Sequence, residues 1–280
     1  MVLAAQGTPE RLLEEANAAY RSLRAADAVR LYRDYLARYS DRADVRVFLG
    51  GALLNLDQLA AALEEANHAI GLEAGYAKAY ILAGRIHSAR GQWDLAQGLF
   101  EKAQRLDPRD IEAWYFSGRM FYDANRFENA VEAFQQALRK GGEQSRVYEN
   151  LGLAQDALGK FYIAEASLRK AVALAGGAWR PYLAYGAFLF RQGRSAESQP
   201  VLRQALALAP ESVDVRFALA RVLYHLDSLA EAARVLEPAL SSGECRIHNL
   251  MARIHSVRGE SGPAEAQIRA MENCKAAPEN

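Results

Sequence analysis

At 280 residues, the chain is long enough for one large domain or two small ones, and its 34 basic side chains balance 34 acidic ones. That neutrality argues against a strongly basic nucleic-acid binder and against an acidic solvating tail. A hydrophobic content of 51% excludes a disordered chain, and the longest nearly unbroken apolar stretch, Pro181 to Phe190, falls far short of the ~18–20 residues of a membrane span. Alanine fills 54 positions, which favours helix over strand.

Taken in chain order, the predicted elements are helical hairpins on a fixed period. Small residues recur at Ala16, Gly50, Gly84, Gly118, Gly152, Gly186 and Ala220, each 34 after the last, and Ala252 follows after 32. A second series with the same step runs Ala28, Ala62, Ala96, Ala130, Ala164, Ser198, Ala232 and Ala264, its last step again 32. Between the two lie Asp57, Gly91, Asn125, Gly159, Gly193, Asp227 and Gly259, residue types that tolerate the left-handed conformation ending a helix. Each unit therefore reads as helix, tight turn, helix, over 9–42, 43–76, 77–110, 111–144, 145–178, 179–212, 213–244 and 245–278, after an N-terminal segment 1–8. Bulky residues such as Leu49, Trp93, Phe100, Phe127, Phe134, Phe161 and Leu202 are expected to fill the seams. One hairpin cannot bury its apolar face alone, so neighbours must stack into an all-α solenoid.

Three local departures stand out. The first unit has Leu23 where the others have a turn former. Pro200 lies inside the second helix of the sixth unit, beside Ser198, and predicts a kink or a late start there. The last helix is polar, with Glu265, Gln267, Arg269, Glu272 and Asn273, as a terminal cap requires.

The pattern resembles the tetratricopeptide repeat family. The fourth unit is the nearest match, with Trp114, Gly118, Phe121, Phe127, Ala130, Phe134 and Ala137, and the third adds Pro108 at the inter-repeat proline site. The resemblance covers about residues 9–278 and implies a right-handed superhelix of eight repeats whose first helices line a concave face. It also implies a non-enzymatic interaction scaffold, with a protein or peptide partner held in that groove. A self-associating assembly subunit and an accessory repeat domain of a larger enzyme are the alternatives.

Carrying the family's groove offsets onto this chain marks Phe48, Lys78, Arg85, Tyr115, Phe116, Arg119, Tyr122, Arg146, Asn150, Arg180, Phe190, Phe217, Arg221, Tyr224, Arg246 and Arg253. Arginine and aromatic side chains are the usual material of protein-binding hot spots. Tyr115-Arg119-Tyr122 and Phe217-Arg221-Tyr224 share the spacing i, i+4, i+7, so each triad is expected on one helix face as one of two equivalent docking stations. Asp44, Glu112, Asp123, Glu149, Asp156 and Asp214 interrupt the positive set, which argues against nucleic acid as the ligand. A chaperone-tail carboxylate clamp does not fit: only Asn17 and Lys78 match from the first unit, and only Asn150 and Arg180 from the fourth.

No phosphate-binding loop, metal-ligand motif or nucleophile motif occurs, so no cofactor, metal or catalytic residue is assigned. His87 and His255 are expected to be half-buried packing residues. The two cysteines, Cys245 and Cys274, fall at the start of the first helix and the end of the second helix of the eighth unit. An antiparallel hairpin puts those places at one end, which predicts a disulfide. Disulfides persist in oxidising compartments, so the pair favours a periplasmic or secreted location over a cytoplasmic one. Met1–Gln6 reads either as an ordinary N-terminus or as the tail of a trimmed signal segment.

Overall fold

The computed structural model describes residues 8–276. The Met1–Gln6 reading lies outside the described residues, as does the side chain of Asn273. Among the described residues there are sixteen α-helices, one 3-10 segment and no strand. They fall into two compact units that divide between Glu143 and Gln144.

The first unit holds α1 (Pro9–Arg21), α2 (Ala25–Arg38), α3 (Ala43–Asn55), α4 (Leu59–Leu72), α5 (Ala77–Ala89), α6 (Trp93–Leu106), α7 (Ile111–Asp123) and α8 (Phe127–Arg139). The second holds α9 (Ser145–Ala157), α10 (Phe161–Ala173), α11 (Arg180–Arg191), α12 (Ser195–Leu208), α13 (Val213–His225), α14 (Leu229–Leu236), the 3-10 segment Glu237–Ser242, α15 (Cys245–Val257) and α16 (Ser261–Ala276).

Every hairpin turns through one left-handed residue. Leu23, Asp57, Gly91, Asn125, Gly159, Gly193, Asp227 and Gly259 all have φ between 57° and 75°. The following N–H reaches back over the turn, as when Arg126 N–H donates to the Phe121 carbonyl at 2.7 Å, closing the helix end. Leu23 takes this conformation with 82% of its surface exposed, so the first hairpin turns in spite of its residue type.

The small residues permit close approach between the two helices of a hairpin. A Cβ built on Gly118 would stand 2.7 Å from the Phe134 ring, and one on Gly84 2.7 Å from Phe100. The second unit repeats the arrangement with Gly152 against Leu168 and Gly186 against Leu202. In each pair the large residue lies sixteen positions on, which is why a fixed period in sequence becomes a repeated seam in space. Phe100, Phe134, Leu168 and Leu202 are all buried.

Within the first unit the backbone of α3 lies close to α5 and that of α5 to α7, whereas the backbones of the second helices stand further apart. Within the second unit the backbones of α9, α11, α13 and α15 are likewise close in series, whereas those of the second helices stand further apart, with α12 and α14 bridged by the Arg203–Glu231 ion pair at 2.7 Å. In each unit the first helices therefore crowd together while the second helices splay, and the first-helix face is the concave one.

Two expectations need correction. Phe161 does not fill a seam: it is 48% exposed, beside the exposed Tyr162 and Ile163. Its counterpart Phe127 packs edge-on to Tyr122 at 5.4 Å, but the fifth repeat has Asp156 at the tyrosine's place, and Asp156 pairs with Arg191 instead. The helix holding Pro200 does not start late. It begins at Ser195, in register with α10, and continues to Leu208. Pro200 and Ala196 are both exposed, so the Ala196 carbonyl that loses its intrahelical donor faces water. On the buried side Ser198 donates its hydroxyl to the Gly186 carbonyl at 2.7 Å, which satisfies the polar group in the alanine position. Pro238, unremarked in the sequence, has the larger effect: α14 stops at Leu236 and the chain tightens into the 3-10 segment before Gly243 (φ 69°). This short second helix coincides with the 32-residue step.

Candidate functional site

Each unit's first-helix face carries a hollow. In the first unit a hollow of about 330 Å³ is formed by α1, α3, α5 and α7, with Tyr20, Phe48, Lys78, Arg85, Glu112 and Phe116 on its walls. Phe48 is held by Tyr20 edge-on at 5.9 Å and by Tyr32 stacked at 6.1 Å. The Arg85 guanidinium lies 4.5 Å from the centre of the Phe116 ring, so two groove residues on successive repeats meet directly. A neighbouring hollow of about 210 Å³ joins Arg85 and Phe116 to Arg119 and Asp123. Partial desolvation raises the Asp123 carboxyl above its ordinary value, and the positive charge of Arg119 opposes that shift. The cations of the first unit thus share their hollows with Glu112 and Asp123.

The second unit has a hollow of about 450 Å³ between α11, α13 and α15, completed by Met271 of α16. Its walls bring together six of the groove residues expected from the sequence: Phe190, Phe217, Arg221, Tyr224, Arg246 and Arg253. Arg221 lies over both Phe190 (5.0 Å) and Phe217 (5.5 Å), and Arg253 lies over Tyr224 (5.1 Å). Arg246 lies over Phe217 at 4.9 Å, but it also binds Asp214 at 2.5 Å and Glu244 at 2.6 Å. Among the described residues Arg221 and Arg253 make no ion pair. Stacking on rings holds these two guanidiniums in place while leaving their charge uncompensated.

The two aromatic–arginine triads are not equivalent. Phe217, Arg221 and Tyr224 all line the hollow of the second unit. Tyr115, by contrast, is only 6% exposed and faces Phe134 of α8 at 6.0 Å, with Phe116 edge-on at 5.1 Å. Tyr122 packs on Phe127, and Arg119 lines the hollow of about 210 Å³. Identical spacing put both triads on corresponding helix faces, but a ring at the seam position is drawn inward where the partner helix presents Phe134.

Asn150 and Arg180 lie apart from these hollows in their contacts. Asn150 donates its side-chain amide to the Arg146 carbonyl one turn back, and Arg180 lies over its neighbour Trp179 at 5.4 Å. Residues that sequence reasoning missed include His225, Asn249, Leu250 and Met271 in the second unit and Tyr20 in the first. Met271 had no signal, because it comes from the second helix of its hairpin, α16. There Asn249 donates to the Met271 sulfur at 3.4 Å.

Cys245 and Cys274 are brought to bonding distance, with Cα atoms 5.6 Å apart, inside the range a disulfide allows. Cys245 also lines the hollow. His87 and His255 are half-buried, each paired within its own turn, to Gln92 at 2.6 Å and to Glu260 at 2.5 Å. His248 faces Gln267 at 2.7 Å. No helix among the described residues is long and apolar enough to cross a membrane.

Comparison with known proteins places these features in context. Residues 159 long in alignment are 26% identical to human protein O-mannosyl-transferase TMTC1, covering 55% of this chain and 18% of that protein. A 92-residue stretch is 32% identical to anaphase-promoting complex subunit 3 of Schizosaccharomyces pombe, covering 33% of this chain and 14% of that one. The chain thus spans less than a fifth of the length of either curated relative. Among solved structures, the APC/C hetero-tetramer Cut9–Hcn1 superposes with a TM-score of 0.71 at 18% identity, over 96% of this chain and 53% of the matched one, a likeness of fold. Tetratricopeptide repeat models match residues 13–77 and 81–146, 145–176, and 189–254. With that coverage, the repeated glycine seams and the left-handed turn of every hairpin, the chain belongs to the tetratricopeptide repeat family.

Proposed function

We propose that the chain is a non-catalytic scaffold whose first-helix faces hold an extended or helical segment of a protein partner. The observation that carries this reading is the second unit's hollow, where Arg221 and Arg253 are fixed over aromatic rings with no carboxylate of their own. Rings and guanidiniums of this kind supply most of the energy of protein interfaces. Two similar proteins are named as parts of a multisubunit complex, which agrees with a scaffold role. The likeness to a mannosyl-transferase covers too little of that enzyme to bring its activity here. The closely placed cysteine pair supports a periplasmic or secreted setting.

The test is affinity capture from an extract of the source organism, with wild-type protein and an Arg119→Ala/Arg221→Ala variant as baits. The variant is expected to lose a protein that wild type retains, with its melting temperature nearly unchanged, because both side chains are exposed. Identical captured sets from the two baits contradict the groove reading.

A further inference from the structure

The charge pattern of the two units differs in a way that selects a ligand. In the first unit each hollow contains an acidic residue, Glu112 in one and Asp123 in the other. In the second unit the hollow holds three arginines and no carboxylate on its walls, and only Arg246 is neutralised, by Asp214 and Glu244 outside it. Two positive charges therefore remain for a ligand to neutralise.

They are also carried by successive first helices, α13 and α15. Arg221 is stacked between rings of α11 and α13, whereas Arg253 is stacked on Tyr224 from α15. A single chain-terminal carboxylate needs donors that converge on one point. Cations on successive helices, each over its own ring, suit acidic side chains spaced along a chain that crosses the helices. The same walls include the apolar side chains of Leu250 and Met271, which offer a seat for one large apolar side chain.

Resting on the groove reading above, we infer that the second unit's hollow binds an internal acidic segment of a partner protein, with carboxylate side chains at Arg221 and Arg253 and an aromatic or large aliphatic residue between them. Charge-assisted hydrogen bonds from guanidinium to carboxylate are stronger than neutral ones, and the ring contacts hold the donors in place before binding. Arg246 contributes packing on Phe217 rather than charge.

The test is calorimetric titration of the full chain with an N-acetylated, C-amidated peptide of sequence Glu-Asp-Phe-Glu-Asp. Its Gln-Asn-Phe-Gln-Asn counterpart and a free-terminus Gly-Gly-Phe-Gly-Gly peptide serve as comparators. The capped acidic peptide is expected to bind, with affinity that falls as salt is raised. Its amide counterpart should bind at least about tenfold more weakly, the equivalent of one lost charged contact. Arg221→Ala/Arg253→Ala should remove the difference between the two. Equal binding of acidic and amide peptides, preference for the free-terminus peptide, or an unaltered preference in the double variant overturns the inference. Failure here combined with loss of the natural partner in the capture experiment would leave the groove reading standing and remove only the acidic ligand.

Discussion

Gly118 and Gly98 are both helical glycines, yet they answer to different constraints. A Cβ on Gly118 would meet three atoms of the Phe134 ring at 2.7–2.9 Å, whereas one on Gly98, in α6, would meet nothing within 4 Å. Gly118→Ala should therefore destabilise the protein by about 1–3 kcal/mol through overpacking. Gly98→Ala should stabilise it by about 0.5–1 kcal/mol, because glycine in an open helix interior costs chain entropy. Urea unfolding of the two variants decides this, and a stabilising Gly118→Ala would show that the seam is not close-packed. The same seam explains where residue-level reading of the groove succeeded and where it failed. Phe217 and Tyr115 occupy corresponding positions, and nothing in their own sequence neighbourhoods tells them apart. What separates them is the side chain on the facing helix: Phe134 draws Tyr115 inward, while Phe217 is taken up by Arg221 and Arg246.

Helices and turns were the most legible elements, because they follow from local chemistry repeated in phase. The left-handed residue at each hairpin stands where the glycine, asparagine and aspartate series puts it, and even Leu23 conforms once its neighbours set the turn. Prolines were less legible. Pro200 is accommodated because its orphaned carbonyl faces water, whereas Pro238 ends α14 and hands the chain to a 3-10 turn. Sequence position alone does not say which outcome follows, since both depend on what each helix face meets. The cysteine pair ties the start of α15 to the end of α16. Closure of the loop spanning their 29-residue separation is worth at most about 3–4 kcal/mol on the chain-entropy model. Thiol titration of air-exposed protein under denaturing, non-reducing conditions should find no free thiol. Cys274→Ser should increase hydrogen exchange in α16 while leaving α1–α8 unaffected, and two free thiols in the wild type would contradict the bond.

At the scale of the whole molecule the organising fact is that the backbone of each first helix lies close to the first helix of the neighbouring repeat within its unit, while the second-helix backbones stand further apart. Stability in such an array is close to a sum of repeat and neighbour terms, so damage stays local. Binding residues on the concave face are then free to vary without loss of fold, which is why the period reveals the architecture and says little about the ligand. Lys78, Arg85 and Arg119 in one unit and Arg221 and Arg253 in the other are exposed or half-exposed positions that the fold does not dictate. The central claim is that the first-helix face is the binding face. Hydrogen–deuterium exchange of the chain with and without its captured partner tests it most directly. The account predicts that protection gained on binding concentrates in α11, α13 and α15, at the segments carrying Phe190, Arg221 and Arg253. Protection confined to the second helices α12, α14 and α16 would contradict it.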